Sequence, residues 1–398
     1  MLKPAPQQRW PVLIVGAGPV GMLLALLLAG RKIHSLLIEK RPGSLEWSKA
    51  IGITPPSLAI LAKAGIDRTF ITHGVKVTEA VVHDGCGIAG EVRFDRLASA
   101  YPFILTLPQS KTLEILAHAL EASPYVEVRR SVELVTVSQT GGAVEVGLQA
   151  TGGGDEKTIQ AEWLIGCDGS KSTVRNLLSI GSSRKAYPTR FVMADFGENT
   201  RWDRQAHLFF TRQGSLESFP LSAGKRRWVA SITKTAEGRT LEQFLVDQTA
   251  LISGVQLKDP RDSPLFEFQP ERLDVSRLYC GRVILAGDAA HVMSPIGGQG
   301  MNTGLADADL LAETLPRLLA DDRVAAGLDR YDQIRRRAAR TATRRAAAGM
   351  WVGTRTSAPA SVIRSAAFRR LLLRPPLLQR LPPHFAMLTI PNGRKGEP

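Results

Sequence analysis

Apolar positions along the chain gather into four runs of strand length, at residues 12–15, 35–39, 163–168 and 283–286. They are rich in Val, Ile and Leu without polar alternation, which predicts strands buried on both faces, as in a parallel sheet covered by helices. Each run stops at a glycine or an acid. The first enters Gly16-Ala-Gly-Pro-Val-Gly21, the second ends at Glu39, the third enters Asp168-Gly-Ser-Lys-Ser-Thr-Val-Arg175, and the fourth stops at Gly287-Asp288. Helical spacing follows at residues 23–28, and again from near Met301 through Leu305, Leu310, Leu311 and Leu315. Strand, turn and helix in that order predict an open α/β sheet whose ligand loops lie at the carboxyl ends of the strands.

The pattern changes between these runs. Residues 70–102 read as strands leaving the first unit, and Leu107-Pro-Gln-Ser opens a helix that Ser110 can cap. Residues 126–146 read as strands joined at Thr140-Gly-Gly142, a hairpin signal. From residue 186 to 269, short alternating strands (190–196, 206–210, 218–221 and 228–233) surround one helix, 241–252. This predicts an inserted antiparallel sheet, with Phe196, Phe209, Phe219 and Trp228 on an apolar face that roofs a bound ring. A last helix, 328–349, leads into a Pro-rich end read as irregular.

Charge adds one distinction. The net charge is +14, yet residues 333–398 carry thirteen arginines and one lysine against a single acid, so the rest is near neutral. Arg336, Arg340 and Arg344 recur along one helical face, and Ile363, Leu371 and Leu378 share a segment with Arg364, Arg369, Arg370, Arg374 and Arg380. The expected role of this tail is packing over the first unit; the alternative is peripheral contact with an anionic bilayer. No nucleic-acid reader motif accompanies the arginines, which argues against a nucleic-acid partner. Cys86, Cys167 and Cys280 are too few and too scattered for a disulfide framework or a zinc site, which points to a reducing, cytoplasmic setting and no metal. Residues 12–29, with Lys3 and Arg9 ahead of them, look superficially like a signal peptide. Their glycines fall instead where a tight turn, a close pyrophosphate and close helix packing each exclude a side chain.

The motifs carry specific chemistry. Glu39, 18 residues past Gly21, is placed to accept from ribose hydroxyls. Asp288 can accept from sugar-like hydroxyls, and the backbone amides of residues 297–302 at a helix start suit an oxygen that gains negative charge. A reduced flavin has both features.

Taken together and in this order, the three motifs resemble those of the class A flavoprotein monooxygenases, the para-hydroxybenzoate hydroxylase family, over roughly residues 10–320. The stretch from Lys49 to Gly65 is similar to one in the phenol- and polyketide-hydroxylase branch, with Lys49 in place of an arginine and Ala59 in place of an acid. The resemblance implies a discontinuous, Rossmann-like FAD-binding domain of glutathione-reductase type (1–75, 103–183 and 270–330), a substrate-binding sheet domain (76–102 and 184–269) and a C-terminal basic helical segment (331–398). It implies a monooxygenase that uses FAD, NAD(P)H and O2, through a flavin C4a-hydroperoxide, to hydroxylate an aromatic, phenolic or quinone-like molecule. Carried over, the cofactor contacts are Gly16, Gly18, Pro19, Val20, Gly21, Glu39, Lys40, Gln109, Asp168, Arg175, Asp288, Pro295, Gly298, Gly300, Met301 and Asn302. For the base that deprotonates substrate, His83, Tyr187 and His207 stand as candidates, and His291 reads as structural. A prenyl reductase on the same fold and a non-catalytic flavin-binding protein remain alternatives. A halogenase is disfavoured because no two tryptophans stand two apart.

Overall fold

The computed structural model of the chain describes residues 9–43, 50–233, 236–257, 264–321 and 325–391. Lys49 lies outside them.

The four apolar runs form the centre of one sheet. Arg9–Val15 pairs in parallel with Ser35–Glu39 on one side and Lys157–Gly166 on the other; Val126–Arg130 and Val283–Leu285 extend the sheet in parallel. Val15 stands level with Ile38 and with Gly166, and Gly166 with Leu285. The register is continued past the strand ends: the Gly16 amide donates to the Ile38 carbonyl (2.8 Å), that of Cys167 to Val15 (2.8 Å) and that of Ala286 to Gly166 (2.9 Å). All three motif turns are therefore delivered to one edge of the sheet. The Pro19–Ala29 helix buries Met22, Leu23, Leu24, Ala25, Leu27 and Leu28, as expected of a helix apolar all round. Val132–Thr140 and Ala143–Ala150 form the expected hairpin around Gly141 and Gly142, both at positive φ.

A second sheet of seven strands runs Phe266–Phe268, Phe191–Gly197, Lys225–Ser231, Gly214–Leu221, Ala206–Thr211, Glu79–Asp84, Gly87–Arg93. It is antiparallel except where Ala206–Thr211 lies parallel to Glu79–Asp84. Its two faces have different coverings. The Leu241–Ser253 helix covers the outer face, where Phe244 and Leu245 pack on Val192, Ala194, Phe196, Phe209, Leu216, Trp228 and Ala230. On the inner face Phe191, Met193, Val229 and Phe268 pack with Ile296 of the glycine-rich turn.

The expectation that four aromatics share one roofing face is therefore corrected. Phe196, Phe209 and Trp228 belong to the outer face, while Phe219, opposite Arg227 on the neighbouring strand, belongs to the inner one. Both faces are apolar, so alternation alone could not say which one meets the cofactor domain.

Further boundaries differ. The Gln109–Glu121 helix starts one residue before Ser110, which makes no capping bond. The helix read from near Met301 spans Gln299–Ala320. The Pro-rich end is helical over Ala358–Ala367 and Leu377–Phe385, Pro359 occupying a first turn where its missing N–H costs nothing.

The Ala325–Thr354 helix runs from the first sheet's layer to the second, where Met350 joins the inner face. Beyond it the tail packs on the second sheet, not over the first unit as expected: Phe368, Leu373 and Ala386 bury against Val82, Val92 and Phe94. Arg364 is buried, donating to the carbonyls of Val352, Arg355 and Thr211, and Arg369 grips Asp84 through two bonds of 2.8 Å. Burial works to raise the Asp84 pKa, but Arg369, Ser365 and the Cys86 amide bring it down to about 2. Among the described residues no helix is long and apolar enough to cross a membrane.

Candidate functional site

The first motif turn is built around missing side chains. Gly16 adopts φ +105°, and a Cβ there would stand 2.5 Å from the Cys167 carbonyl oxygen. A Cβ on Gly21 would land on the Gly16 carbonyl. At Gly18, which caps the Pro19–Ala29 helix, a Cβ would meet nothing within 4 Å. Gly18 thus borders open space, where the free amides of Val20 and Gly21 and the helix dipole favour an anion; Pro19 contributes no N–H.

Glu39 is buried at the end of its strand and holds the loops beside it. One oxygen accepts from the Ala17 amide (2.9 Å), the other from the Arg41 amide (3.1 Å) and Nε (2.9 Å). Burial works to raise its pKa, but the bonds and charge of Arg41 outweigh this and keep the carboxyl below its usual range. An ionised carboxylate has about four acceptor sites, so capacity remains for a ribose hydroxyl. Lys40 is exposed, and its carbonyl accepts from Thr151 Oγ1.

The second and third turns are bolted together. Ser172 caps a short helix through the Arg175 amide (3.0 Å), and Arg175, buried, donates to the carbonyls of Ala289 (3.0 Å) and Ser170 (2.9 Å). Its Nε and Asp168 Oδ1 are buried without a partner, while Asp168 Oδ2 accepts from the Val174 amide (3.0 Å). Asp288 is exposed on the turn Gly287–Ala289. That turn is held from behind by Asp307, which accepts from the Gly287 amide (2.9 Å), His291 Nε2 (2.7 Å) and Arg335 Nε (2.6 Å). Gly304 allows this approach, since a Cβ there would strike Val20 Cγ2 at 2.6 Å. Sequence reasoning missed Asp307 and Arg335. The available signal was an acid among the apolar positions of the Gln299–Ala320 helix, followed by an arginine-rich helix.

The glycine-rich turn ends at Gly298, in the left-handed region at φ +64°, and the helix starts at Gln299 without a side-chain cap. The amides of Gln299, Gly300 and Met301 thus have no partner within the helix. Asn302 is not a free ligand: it accepts from the Thr54 amide (3.0 Å) and donates to the carbonyls of Gly52 (2.9 Å) and Gly298 (2.6 Å), fixing the turn. Gln299 Oε1 is buried without a partner. Pro295 is half-buried. Gln109 is half-buried at its helix start, and nearby Thr106 Oγ1 donates to the Pro220 carbonyl (2.6 Å), tying that segment to the second sheet. The open cradle at Gly18, the orphaned oxygens of Asp168 and Gln299 and the free helix-start amides fit a dinucleotide with an anionic ring edge. An FAD would be held by these groups with Glu39 and Asp288.

Two candidate bases lie elsewhere. His83 and His207 bond to each other (2.9 Å) on the outer face, stacked against Phe209 and Trp202, away from the glycine-rich turn. Burial, with His83 and Arg226 nearby, pushes His207 down to about 3, so it stays neutral. Tyr187 packs in the inner cluster with Ile296, but burial raises its pKa further above neutral. The inner face holds an acid that sequence reasoning passed over. Glu217, 9% exposed, stands opposite Leu208 and Val229, and burial pushes it up to about 7. Its signal was a lone acid two residues before Phe219 in an apolar strand.

Comparison with known proteins agrees with this geometry. A curated relative, the 6-methylpretetramide 4-monooxygenase of Streptomyces rimosus, is 35% identical over 76% of this chain, which spans 54% of that relative's length. The para-nitrophenol 4-monooxygenase of a Pseudomonas species is 27% identical over 89% of this chain and 90% of its own. The crystal structure of p-nitrophenol 4-monooxygenase from Pseudomonas putida shares the fold, with a TM-score of 0.85 at 22% identity, covering 98% of this chain and all of that one. The family model described as an FAD binding domain matches residues 9–346, and the chain belongs to that family.

Proposed function

We propose that the protein is an FAD-dependent monooxygenase that uses NAD(P)H and O2 to hydroxylate an aromatic, phenolic or quinone- and polyketide-like small molecule. The observation that carries this reading is the placement of an apolar sheet face, with Phe191, Met193 and Val229, directly on Ile296 of the glycine-rich turn. Bound FAD would supply the redox chemistry between NAD(P)H and O2. The chain supplies position and shielding. Gly16, Gly18, Val20 and Gly21 take the pyrophosphate, Glu39 the ribose and Asp288 the ribityl hydroxyls; Lys40, Gln109, Pro295 and Asn302 border the same site. The amides of Gln299, Gly300 and Met301 favour negative charge at the ring edge. Asp168 and Arg175 shape the groove for NAD(P)H. The apolar inner face excludes water from the reacting ring. The domain limits 1–75, 103–183 and 270–330, with 76–102 and 184–269 as substrate domain and 331–398 as tail, follow from this reading.

The test is a screen of phenols and polyketide-like aromatics for stimulation of NAD(P)H oxidation, with product oxygen traced from labelled O2. Incorporation of label supports the reading. Substrate reduction under anaerobic conditions without O2 uptake would favour a reductase.

Peripheral membrane contact is a separate proposal. It rests on Val362 and Ile363 (each 69% exposed) and Leu371 (58%) beside the exposed Arg370 and Arg374. Because Arg369 is committed to Asp84, neutralising Arg370 and Arg374 alone is the informative variant. Sedimentation with anionic liposomes that ignores this change, or salt, refutes the contact.

A further inference from the structure

We propose that Glu217 accepts the hydroxyl proton of a phenolic substrate held between the sheet's inner face and the glycine-rich turn. This deepens the hydroxylase reading above and rests on it.

The inner face divides into two apolar patches. Phe191, Met193, Val229 and Phe268 meet Ile296 and Met350, while Val82, Phe210 and Phe219 meet the tail through Phe368 and Leu373. Glu217 lies at the seam: Val229 beside it belongs to the first patch and Phe219, two residues on, to the second. Its carboxyl has no hydrogen bond or ion pair among the described residues, although a buried carboxyl without a partner is costly. Such a cost persists where a function needs the group.

Several charged groups on the elements packed against it hold other partners, although Arg345 Nη1 is buried without one. Arg227 of the neighbouring strand is held by Asp195 in a two-bond pair of 2.6 and 2.8 Å. Asp84 is held by Arg369, Arg345 donates to Thr389, and Lys76 lies over the Phe103 ring. Burial alone sets the carboxyl's acidity, near the pH at which a general base is most effective. In the step, the phenol O–H bond breaks, its electron pair stays on the substrate oxygen as phenolate, and the proton moves to a Glu217 oxygen, making the neutral acid. The phenolate ring is more electron-rich and reacts more readily with an electrophilic oxygen. The residual exposure of Glu217 lets the proton pass on to water.

The experiment uses FAD-loaded wild type and Glu217→Gln, which keeps volume and polarity; retained yellow colour reports an intact fold. Infrared difference spectra without substrate should show a carboxylic acid band present at about pH 6, bleached by about pH 8 and missing from the variant. A spectrum with no such band, or one unchanged in the variant, overturns the inference. With 4-methylphenol as probe, whose own hydroxyl titrates at about 10 like that of tyrosine, stimulated NADH or NADPH oxidation should rise through neutral pH in wild type, and fall on the order of 100-fold with a flattened pH profile in the variant. An unchanged profile also overturns it. Failure of the hydroxylase reading would look different: no stimulation of the wild type by any phenol, with the infrared band intact, which removes the base assignment along with the activity.

Discussion

Asp307→Leu tests what holds the Gly287-Asp288 turn against the first motif. The Asp307 side chain is fully buried and accepts from the Gly287 amide, His291 and Arg335, itself 1% exposed. Removing the carboxylate strands a buried guanidinium whose remaining bond is to the Thr303 carbonyl at 2.9 Å. Breaking a buried pair from one side costs about 3–5 kcal/mol, a large share of a typical stability of about 5–15. The double variant Asp307→Leu with Arg335→Met removes both charges at once. What remains is an unpaired Gly287 amide and an imidazole without its acceptor, about 1–3 kcal/mol each. The assay is urea unfolding at one fixed FAD concentration, because bound cofactor adds its own stabilisation. Burial works to raise the Asp307 pKa, but His291 and Arg335 outweigh it and leave the carboxyl below its usual value. Its contribution is therefore complete above the unfolded value near 3.8 and lost only as pH falls through the lower folded value. A loss under about 1 kcal/mol for the single variant, or a double variant no more stable than the single, would refute this account.

Gly16→Val and Asp288→Ala should each abolish or sharply weaken FAD retention, measured by flavin absorbance after gel filtration; tight retention in both would sink the cofactor assignment. Flavin reduction by NAD(P)H should be slow alone and accelerate with bound aromatic substrate, because one glycine motif serves the FAD and no second dinucleotide fold is present among the described residues; stopped-flow traces indifferent to every ligand that is turned over would contradict it. Glu217, raised from 4.5 to about 7, holds a proton in the fold that the unfolded chain releases, so wild type loses stability as pH climbs through that window, by up to about 3 kcal/mol. Glu217→Gln should therefore gain on wild type between about pH 5 and 8, and parallel unfolding midpoints would count against it. Arg369→Met should loosen the tail, read as faster amide exchange over Ala358–Ala367, since it leaves the buried Asp84 without its two-bond partner.

The parallel sheet and its three motif turns were legible in the sequence because local signals specify them. A continuous apolar run means burial on both faces, and glycines mark where backbone must come close. The turn helix, the hairpin at Gly141-Gly142 and the inserted sheet followed from the same short-range patterns. Other features depended on partners far along the chain. The expectation of one face for Phe196, Phe209, Phe219 and Trp228 failed for Phe219, because only strand register and the docking of the Leu241–Ser253 helix and of Ile296 decided which side chains share a face and which face meets the turn. The same choice put His83 and His207 on the outer face and Glu217 on the inner one. The arginine-rich tail read as a charged segment because its acceptors are remote: Asp84 precedes Arg369 by 285 residues, and Arg364 caps the Thr211 carbonyl 153 residues away. Asp307 and Arg335 are 28 residues apart and form a pair only once two helices cross behind the turn. Short-range pattern thus fixed the strands, turns and cofactor motifs, and long-range packing decided which polar groups are buried, paired or left unpaired, because burial and charge pairing are properties of the assembled layers.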